Sequence, residues 1–222
     1  MDECNRSSKI QMEFWRGKFG NEYTERNIRD ACRTDELSLK TLGVSRTALF
    51  TEMLSAAQPH TVLEVGCSAG QNFPFLLSLS PELKLYAIEI NPVAIQLAHK
   101  HYHTVGLVQG SVFTLPFRDN SFDLVFTAGV LIHIHPSDLK RVLCEIWRVC
   151  RNYVFGLEHH SDNVEHVVYR GHKNRFWKQD FEKAYHNCFS NTKTVYSKVY
   201  AYSEEVGRRQ GLFTKVFLVQ KT

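Results

Sequence analysis

The sequence predicts an α/β fold: a mostly parallel, seven-stranded sheet with helices on both faces and an antiparallel hairpin at its C-terminal edge. Three observations predict it. Short apolar runs alternate with helical patterns between about residues 45 and 157, which is how parallel strands joined by crossover helices read in sequence. The run Val62-Leu63-Glu64-Val65 breaks at Gly66 and turns through small residues to Gly70, and a helix-like pattern begins at Phe73. Two strand-like stretches close the chain, Thr194 to Tyr202 and Phe213 to Gln220, separated by the loop Glu204 to Gly211.

Taken in order, residues 8 to 33 mix aromatics (Phe14, Trp15, Phe19, Tyr23) with Arg16, Lys18 and Arg26. Two short helices joined near Gly17 to Gly20 fit this pattern. The segment precedes the first strand, so it is an added element: a cap packed on the core, or a lid with Tyr23, Arg26 and Asn27 facing a ligand. Ser45 to Ala57 reads as a helix with Ser45 as N-cap and Leu49, Phe50, Met53 and Leu54 on one face. Strands follow at Thr61 to Val65, Lys84 to Glu89 and Gly106 to Gln109. Helices lie between them at about Gln71 to Ser80, with Pro74 in its first turn, and from Pro92. Phe122 to Thr127 is apolar enough for a strand covered on both faces. Leu139, Val142, Leu143, Ile146 and Cys150 give the helix from Ser137 to Arg151 its stripe. A fifth strand spans Tyr153 to Leu157. An irregular polar stretch leads to a helix from Gln179 to His186, before the two terminal strands.

The whole chain bounds the function. Its 222 residues, 43% hydrophobic and 23% charged, fit one globular domain, residues 1–222. Within it, 1–44 form the helical cap or lid, 45–157 the ligand-binding core, and 158–222 a substrate cap with the terminal strands. A net charge of +4 without a Lys/Arg run argues against a nucleic-acid partner. The six cysteines are scattered with no C-x-x-C pair, and no acidic ligand cluster is visible, so no metal is expected. No apolar run approaches the roughly 18 residues of a membrane span, and the N-terminus does not read as a secretory signal. The expectation is a cytoplasmic protein that does not bind membranes.

In a sheet of this kind ligands sit beyond the carboxyl ends of the strands, where strand order reverses. The residues to examine are therefore Gly66 to Gly70, Glu89 to Asn91, Ser111 to Phe113, Thr127 to Gly129 and Glu158 to His160. Gly66 and Gly70 permit backbone angles and close approaches that a Cβ forbids. Glu89 ends the second strand about 20 residues further on, the offset at which a carboxylate holds a ribose diol.

These positions resemble the class I methyltransferases that use S-adenosylmethionine. Glu64-Val65-Gly66-Cys67-Ser68-Ala69-Gly70 matches the family's first motif, with Ser68 where glycine is commonest. Glu89 matches the ribose acid. Gly110-Ser111-Val112 matches a Gly-Asp-Ala segment, with Ser111 replacing the Asp that often meets the adenine. Asn120 to Val125 followed by Val130-Leu131-Ile132-His133-Ile134 looks like the fourth motif. The resemblance covers about residues 60 to 157. It implies a Rossmann-like fold, S-adenosylmethionine as cofactor, and cofactor contacts from Glu64, Gly66, Cys67, Ser68, Gly70, Asn72, Glu89, Ile90, Ser111, Val112, Thr127 and Ala128; the lid reading adds Tyr23, Arg26 and Asn27. A narrower resemblance links Phe14 to Asn27, Tyr169-Arg170-Gly171-His172 and Phe176 to Phe181 to a methyltransferase clade associated with pseudaminic acid biosynthesis. It implies a small polar, sugar-linked or anionic substrate.

On the substrate side, a hydroxyl acceptor needs a general base, and histidine is the best tuned near neutral pH. His133 after strand four and His159 after strand five are the candidates, with His133 first, as base or substrate ligand. Trp15, His160, Tyr169, Arg170, His172 and Trp177 mix cations and aromatics in a way that suits substrate binding. Two other readings compete. An NAD-linked oxidoreductase shares the sheet and the acid but wants G-x-G-x-x-G, which Gly66, Ser68 and Gly70 do not supply. A non-catalytic S-adenosylmethionine-binding partner protein would be expected to lose the turn or Glu89, and this chain keeps both. A base-flipping motif of the Asn-Pro-Pro-Tyr kind is absent where Thr127-Ala128-Gly129-Val130 stands.

Overall fold

The computed structural model describes residues 3–28, 30–203 and 212–222, so the loop Glu204 to Gly211 lies outside the described residues. Four helices precede the sheet: α1 (Glu3–Arg16), α2 (Lys18–Asn27), α3 (Ala31–Leu42) and α4 (Arg46–Ala57). Then come β1 (Thr61–Val65), α5 (Phe73–Leu79), β2 (Lys84–Glu89), α6 (Pro92–His101), β3 (Gly106–Gln109), β4 (Phe122–Ala128), α7 (Pro136–Val149) and β5 (Cys150–His160). The last part holds β6 (Glu165–His166), β7 (Trp177–Lys178), α8 (Phe181–Cys188), β8 (Thr192–Ala201) and β9 (Phe213–Lys221).

Seven strands form one sheet in the order β3-β2-β1-β4-β5-β9-β8. The first five are parallel, and β9 runs antiparallel to both β5 and β8. This is the expected Rossmann-like architecture with its antiparallel C-terminal edge. The winding reverses at β1, which has β2 on one side and β4 on the other, and so opens a crevice beyond its carboxyl end.

Side chains alternate across the strands, which divides the core in two. Val62, Leu124, Phe126 and Phe155 pack under α4, α5 and α6 with Phe50, Met53, Phe73 and Ile95. Leu63, Val125, Val154 and Phe217 pack under α7 and α8 with Val142, Leu143, Ile146 and Tyr185. Each such side chain contributes about 1.5–3 kcal/mol on burial. Helix starts follow local chemistry: Ser45 caps α4 through the Ala48 N–H at 3.0 Å, and Asn91 caps α6 through Val93 and Ala94 N–H, both at 3.0 Å.

Two expectations change in the structure. The N-terminal segment breaks at Gly17, but a further helix, α3, follows it; Asp30 caps its start and Gly43, at φ 69°, ends it. Strand β5 runs on to His160 because β9 pairs with it throughout, His160 opposite Phe213. Glu158, His159 and His160 therefore lie within a strand rather than in a loop after it.

Candidate active site

The turn after β1 is built from left-handed residues. Gly66 has φ 75°, Ser68 φ 51° and Gly70 φ 82°. A Cβ at Gly66 would lie 2.6 Å from Cγ2 of Val130, and one at Gly70 would lie 2.6 Å from the Phe73 ring. Glycine is thus required by sterics at both. Ser68 holds the same backbone region, which is why glycine suits that place in the motif it resembles. The Ser68 N–H donates to Glu89 Oε2 at 2.8 Å, and the Asn91 N–H donates to Glu89 Oε1 at 2.8 Å. The Glu89 carboxylate is thereby aimed across the crevice, while a carboxylate's roughly four lone-pair sites leave it able to accept more.

Glu64 is 1% exposed. Its Oε1 accepts from Asn72 Nδ2 at 2.6 Å, whereas its Oε2 is buried without a partner. Burial pushes its pKa up to about 8, against the pull of Asn72 and of the buried Arg46. Burial also raises Glu89 and, strongly, the Cys67 thiol.

Helices α1 and α2 roof the crevice. Asn91 Nδ2 donates to the Trp15 carbonyl at 2.9 Å and to Asn21 Oδ1 at 2.8 Å, and Gln71 Nε2 donates to the Asn27 carbonyl. A cavity of about 150 Å³ remains beneath the roof. Of the residues that the sequence suggests for the cofactor, Tyr23, Glu64, Gly66, Cys67, Ser68, Asn72, Glu89, Ile90, Ser111, Val112 and Ala128 line it, and so do Trp15 and His133. Gln11, Met12, Thr24, Gln71 and Val130, which the sequence did not single out, also line it, as do Asn91 and Phe113, which fell within the strand-end windows but not among the named contacts. The Asn91-Pro92 helix start was a usable signal for Asn91. Gln11 has none, because only the packing of α1 places it.

His133 occupies a one-turn 3₁₀ segment, Leu131–His133, directly after β4. Its Nδ1 lies 2.7 Å from the carbonyl oxygen of Arg175, and its ring sits 4.4 Å from that of Trp15. Burial depresses its pKa to about 4, so the imidazole is neutral at pH 7. The segment before β7 packs over it: Tyr169 stacks on Phe176 at 5.6 Å, and both ring faces meet His133, at 5.1 and 5.8 Å.

Other predicted residues lie outside the cavity wall. Gly70 shapes the turn from below. The Thr127 hydroxyl bonds Glu158, whose Oε1 accepts from Val130 N–H at 3.0 Å and whose pKa burial raises to about 7. Arg26 pairs with Glu22 at 3.6 Å on the outer face of α2, and Asn27 donates to the Tyr23 carbonyl at 2.7 Å. His159 lies between Tyr202, on which it stacks at 5.6 Å, and Phe176, whose ring is 5.3 Å away and separates it from His133. His160, on the opposite face of β5, borders a separate polar cavity, 3.4 Å from Asp162. His172 packs on Phe14 and Phe19, Trp177 on His135 and His166, and Arg170 occupies the tip of a tight turn at φ 49°.

The turn, the acid at the end of β2 and the reversal of strand order meet in one crevice. Residues 63–154 match a family model described as a methyltransferase domain. A probable phthiotriol/phenolphthiotriol dimycocerosates methyltransferase 2 of Mycobacterium ulcerans is 34% identical over 90 residues, 37% of this chain and 34% of that protein. A botryococcene C-methyltransferase of Botryococcus braunii is 31% identical over 140 residues, 57% of this chain and 35% of that protein. The chain thus spans about a third of the length of the curated relatives it matches. Among solved structures, the 1,6-didemethyltoxoflavin-N1-methyltransferase of Burkholderia thailandensis, with 1,6-didemethyltoxoflavin and S-adenosylhomocysteine bound, shares the fold. Its TM-score is 0.67 at 18% identity, covering 100% of this chain and 91% of that one. Among the described residues, no helix is long and apolar enough to cross a membrane.

Proposed function

We propose that this chain transfers the methyl group of S-adenosylmethionine to an O or N atom of a small polar substrate. One observation carries the reading. The left-handed turn, the doubly anchored Glu89 and the unpartnered Oε2 of Glu64 converge on one roofed cavity. The fit to the cofactor is chemical: a buried carboxylate oxygen without a partner suits an ammonium, and Glu89 suits a ribose diol.

Bound S-adenosylmethionine supplies an electrophilic methyl group. The chain does the rest. Glu64 takes the cationic end, with Asn72 fixing its other oxygen. Glu89 would hold the ribose, and Ile90, Ser111 and Val112 would hold the adenine. Gly66, Cys67 and Ser68 provide the backbone floor, Ala128 the side wall, and Tyr23 with the N–H groups near Asn72 takes the carboxylate. Gly70 and Thr127 hold this floor from beneath, and Arg26 and Asn27 buttress Tyr23 from outside. The roof excludes water and orients the acceptor, effects that supply about 7–11 kcal/mol of barrier lowering in well-aligned reactions. His133, neutral at Nε2, accepts the substrate's hydrogen.

The likeness of residues 14–27 and 169–181 to the pseudaminic acid-associated clade supports a sugar-linked substrate, with Trp15 against the ring and Tyr169, Arg170, His172 and Trp177 shaping the cap. His159 and His160 act, in this reading, by supporting that cap. We take the chain as a single domain that works in the cytoplasm on small molecules rather than on nucleic acid or membranes.

Calorimetric titration with S-adenosylmethionine, S-adenosylhomocysteine and NAD, on the wild type and Glu89→Ala, tests the proposal. Micromolar binding of the first two, at least tenfold weaker in the variant, is expected. Binding of NAD alone, or equal binding by the variant, overturns it. Tight cofactor binding with no methyl transfer to any sugar-pathway intermediate would remove the sugar-linked part.

A further inference from the structure

The wall of the cavity facing the roof carries hydrogen-bonding atoms that the cofactor reading does not use. Gln11 and Trp15 stand one turn apart on the same face of α1, and both line the cavity with His133. Gln11 is 3% exposed. Its Oε1 accepts from the His135 N–H at 3.3 Å, which fixes the amide orientation and leaves Nε2 buried with no acceptor. The indole Nε1 of Trp15 is likewise buried with no acceptor. A buried donor without a partner costs about 1–3 kcal/mol, so two on adjacent turns facing one cavity point to a ligand.

His133 supplies the opposite polarity. A carbonyl oxygen only accepts, so the 2.7 Å contact with Arg175 places the hydrogen on Nδ1 and the lone pair on Nε2. In ring contact with both Trp15 and Tyr169, and bonded at Nδ1, the imidazole presents Nε2 as an acceptor of fixed direction. The wall includes no lysine or arginine, and its formal charges are the carboxylates of Glu64 and Glu89. An anion entering here would lose its hydration without gaining a counter-charge.

We infer that the part of the substrate entering the cavity is an uncharged ring with an N–H or O–H that donates to His133 Nε2 and an adjacent lone-pair atom that accepts from Gln11 and Trp15. Any anionic portion stays outside the roof. The inference rests on the proposal that the remainder of the cavity takes S-adenosylmethionine. It narrows the substrate to molecules with a lactam- or enol-like edge and places carboxylates and phosphates beyond the reacting end.

The full chain, saturated with S-adenosylhomocysteine, is titrated with three ring-sized probes and followed by ligand-observed NMR. 2-Pyridone offers N–H beside C=O, N-methyl-2-pyridone lacks the donor, and benzoate is an anion of similar size. We expect 2-pyridone to bind at least tenfold more tightly than either of the others. In His133→Asn, whose amide nitrogen can still donate to Arg175 but which lacks Nε2, 2-pyridone should fall to the level of its N-methyl analogue while S-adenosylhomocysteine binds within twofold of wild type. Trp15→Phe keeps the ring and should weaken all pyridone binding. Benzoate binding as well as 2-pyridone, equal binding of the two pyridones, or no probe binding to the saturated protein overturns the inference and leaves the cofactor proposal standing. Failure of S-adenosylhomocysteine itself to bind overturns both. If His133→Asn does not fold, the ranking of the three probes on the wild type decides.

Discussion

The two halves of the cavity are built on different principles. The floor, at the strand ends of β1 and β2, is polar and tied to backbone: both oxygens of Glu89 receive N–H groups at 2.8 Å, and the turn runs through three left-handed residues. The roof and cap, from α1, α2 and the segment before β7, is aromatic, with Trp15, Tyr169, Phe176 and His133 in mutual ring contact and donors left unpartnered. A backbone-set floor recognises a constant ligand. A side-chain roof can differ from one protein to another without disturbing the sheet. The difference shows why the floor matches a widely shared motif and the roof only a narrower likeness.

The largest blow to the floor should come from Gly66→Val. A left-handed β-branched residue whose Cβ overlaps Val130 combines backbone strain with overpacking, together about 3–5 kcal/mol. Urea unfolding should show that loss, and cofactor binding should vanish; a stable, binding variant would show that the floor is not set by this turn.

The halves should also respond oppositely to pH. His133, depressed to about 4 by burial, favours the neutral fold, so its contribution is full above its unfolded value near 6.5 and is lost as pH falls toward 4, up to about 3 kcal/mol. Glu64 and Glu158, raised to about 8 and about 7, contribute fully below an unfolded value near 4.5 and lose that contribution as pH rises through 7 to 8. Stability measured against pH should therefore lose its acid-side slope between 6.5 and 4 in His133→Asn. Glu64→Gln should instead flatten the slope between 4.5 and 8. A swap of the two effects would mean the burial pattern is wrong.

Asn91 joins the halves, since its side chain caps α6 and holds the Trp15 carbonyl. Asn91→Ala should cost about 1–2 kcal/mol through the lost cap. Limited proteolysis should then cut near Gly17 faster than in wild type, with the sheet core intact. Equal cutting would detach Asn91 from the roof. The smallest effect is a gain. Ser68→Gly removes a side chain from φ 51° and should stabilise the floor by about 0.5–1 kcal/mol in thermal unfolding, with Glu89 still anchored through the same N–H.

Several elements were legible because their cause is local. Thr61–Val65, Lys84–Glu89 and Gly106–Gln109 were readable as strands from apolar runs bounded by turn residues, and Ser45 was readable as a cap from the residue type alone. Other features depended on partners distant in sequence. The extension of β5 to His160 exists because β9 lies beside it, and no pattern near residue 158 announces that. The sequence ranked His133 ahead of His159 only by the strand each follows; the Arg175 carbonyl, 42 positions away, fixes the one in the cavity wall, and Phe176 and Tyr202 hold the other outside it.

By itself, then, the sequence determined the α/β architecture, the left-handed turn at Gly66 to Gly70 and the placement of Glu89 at a strand end. Those depend on backbone angles and side-chain periodicity over a few neighbouring residues. Only the tertiary structure decided which side chains wall the cavity. It brought Gln11, Trp15 and His133 to one wall, placed His159 behind Phe176 and left Arg26 outside. Those positions follow from how helices, strands and cap pack together across the whole chain.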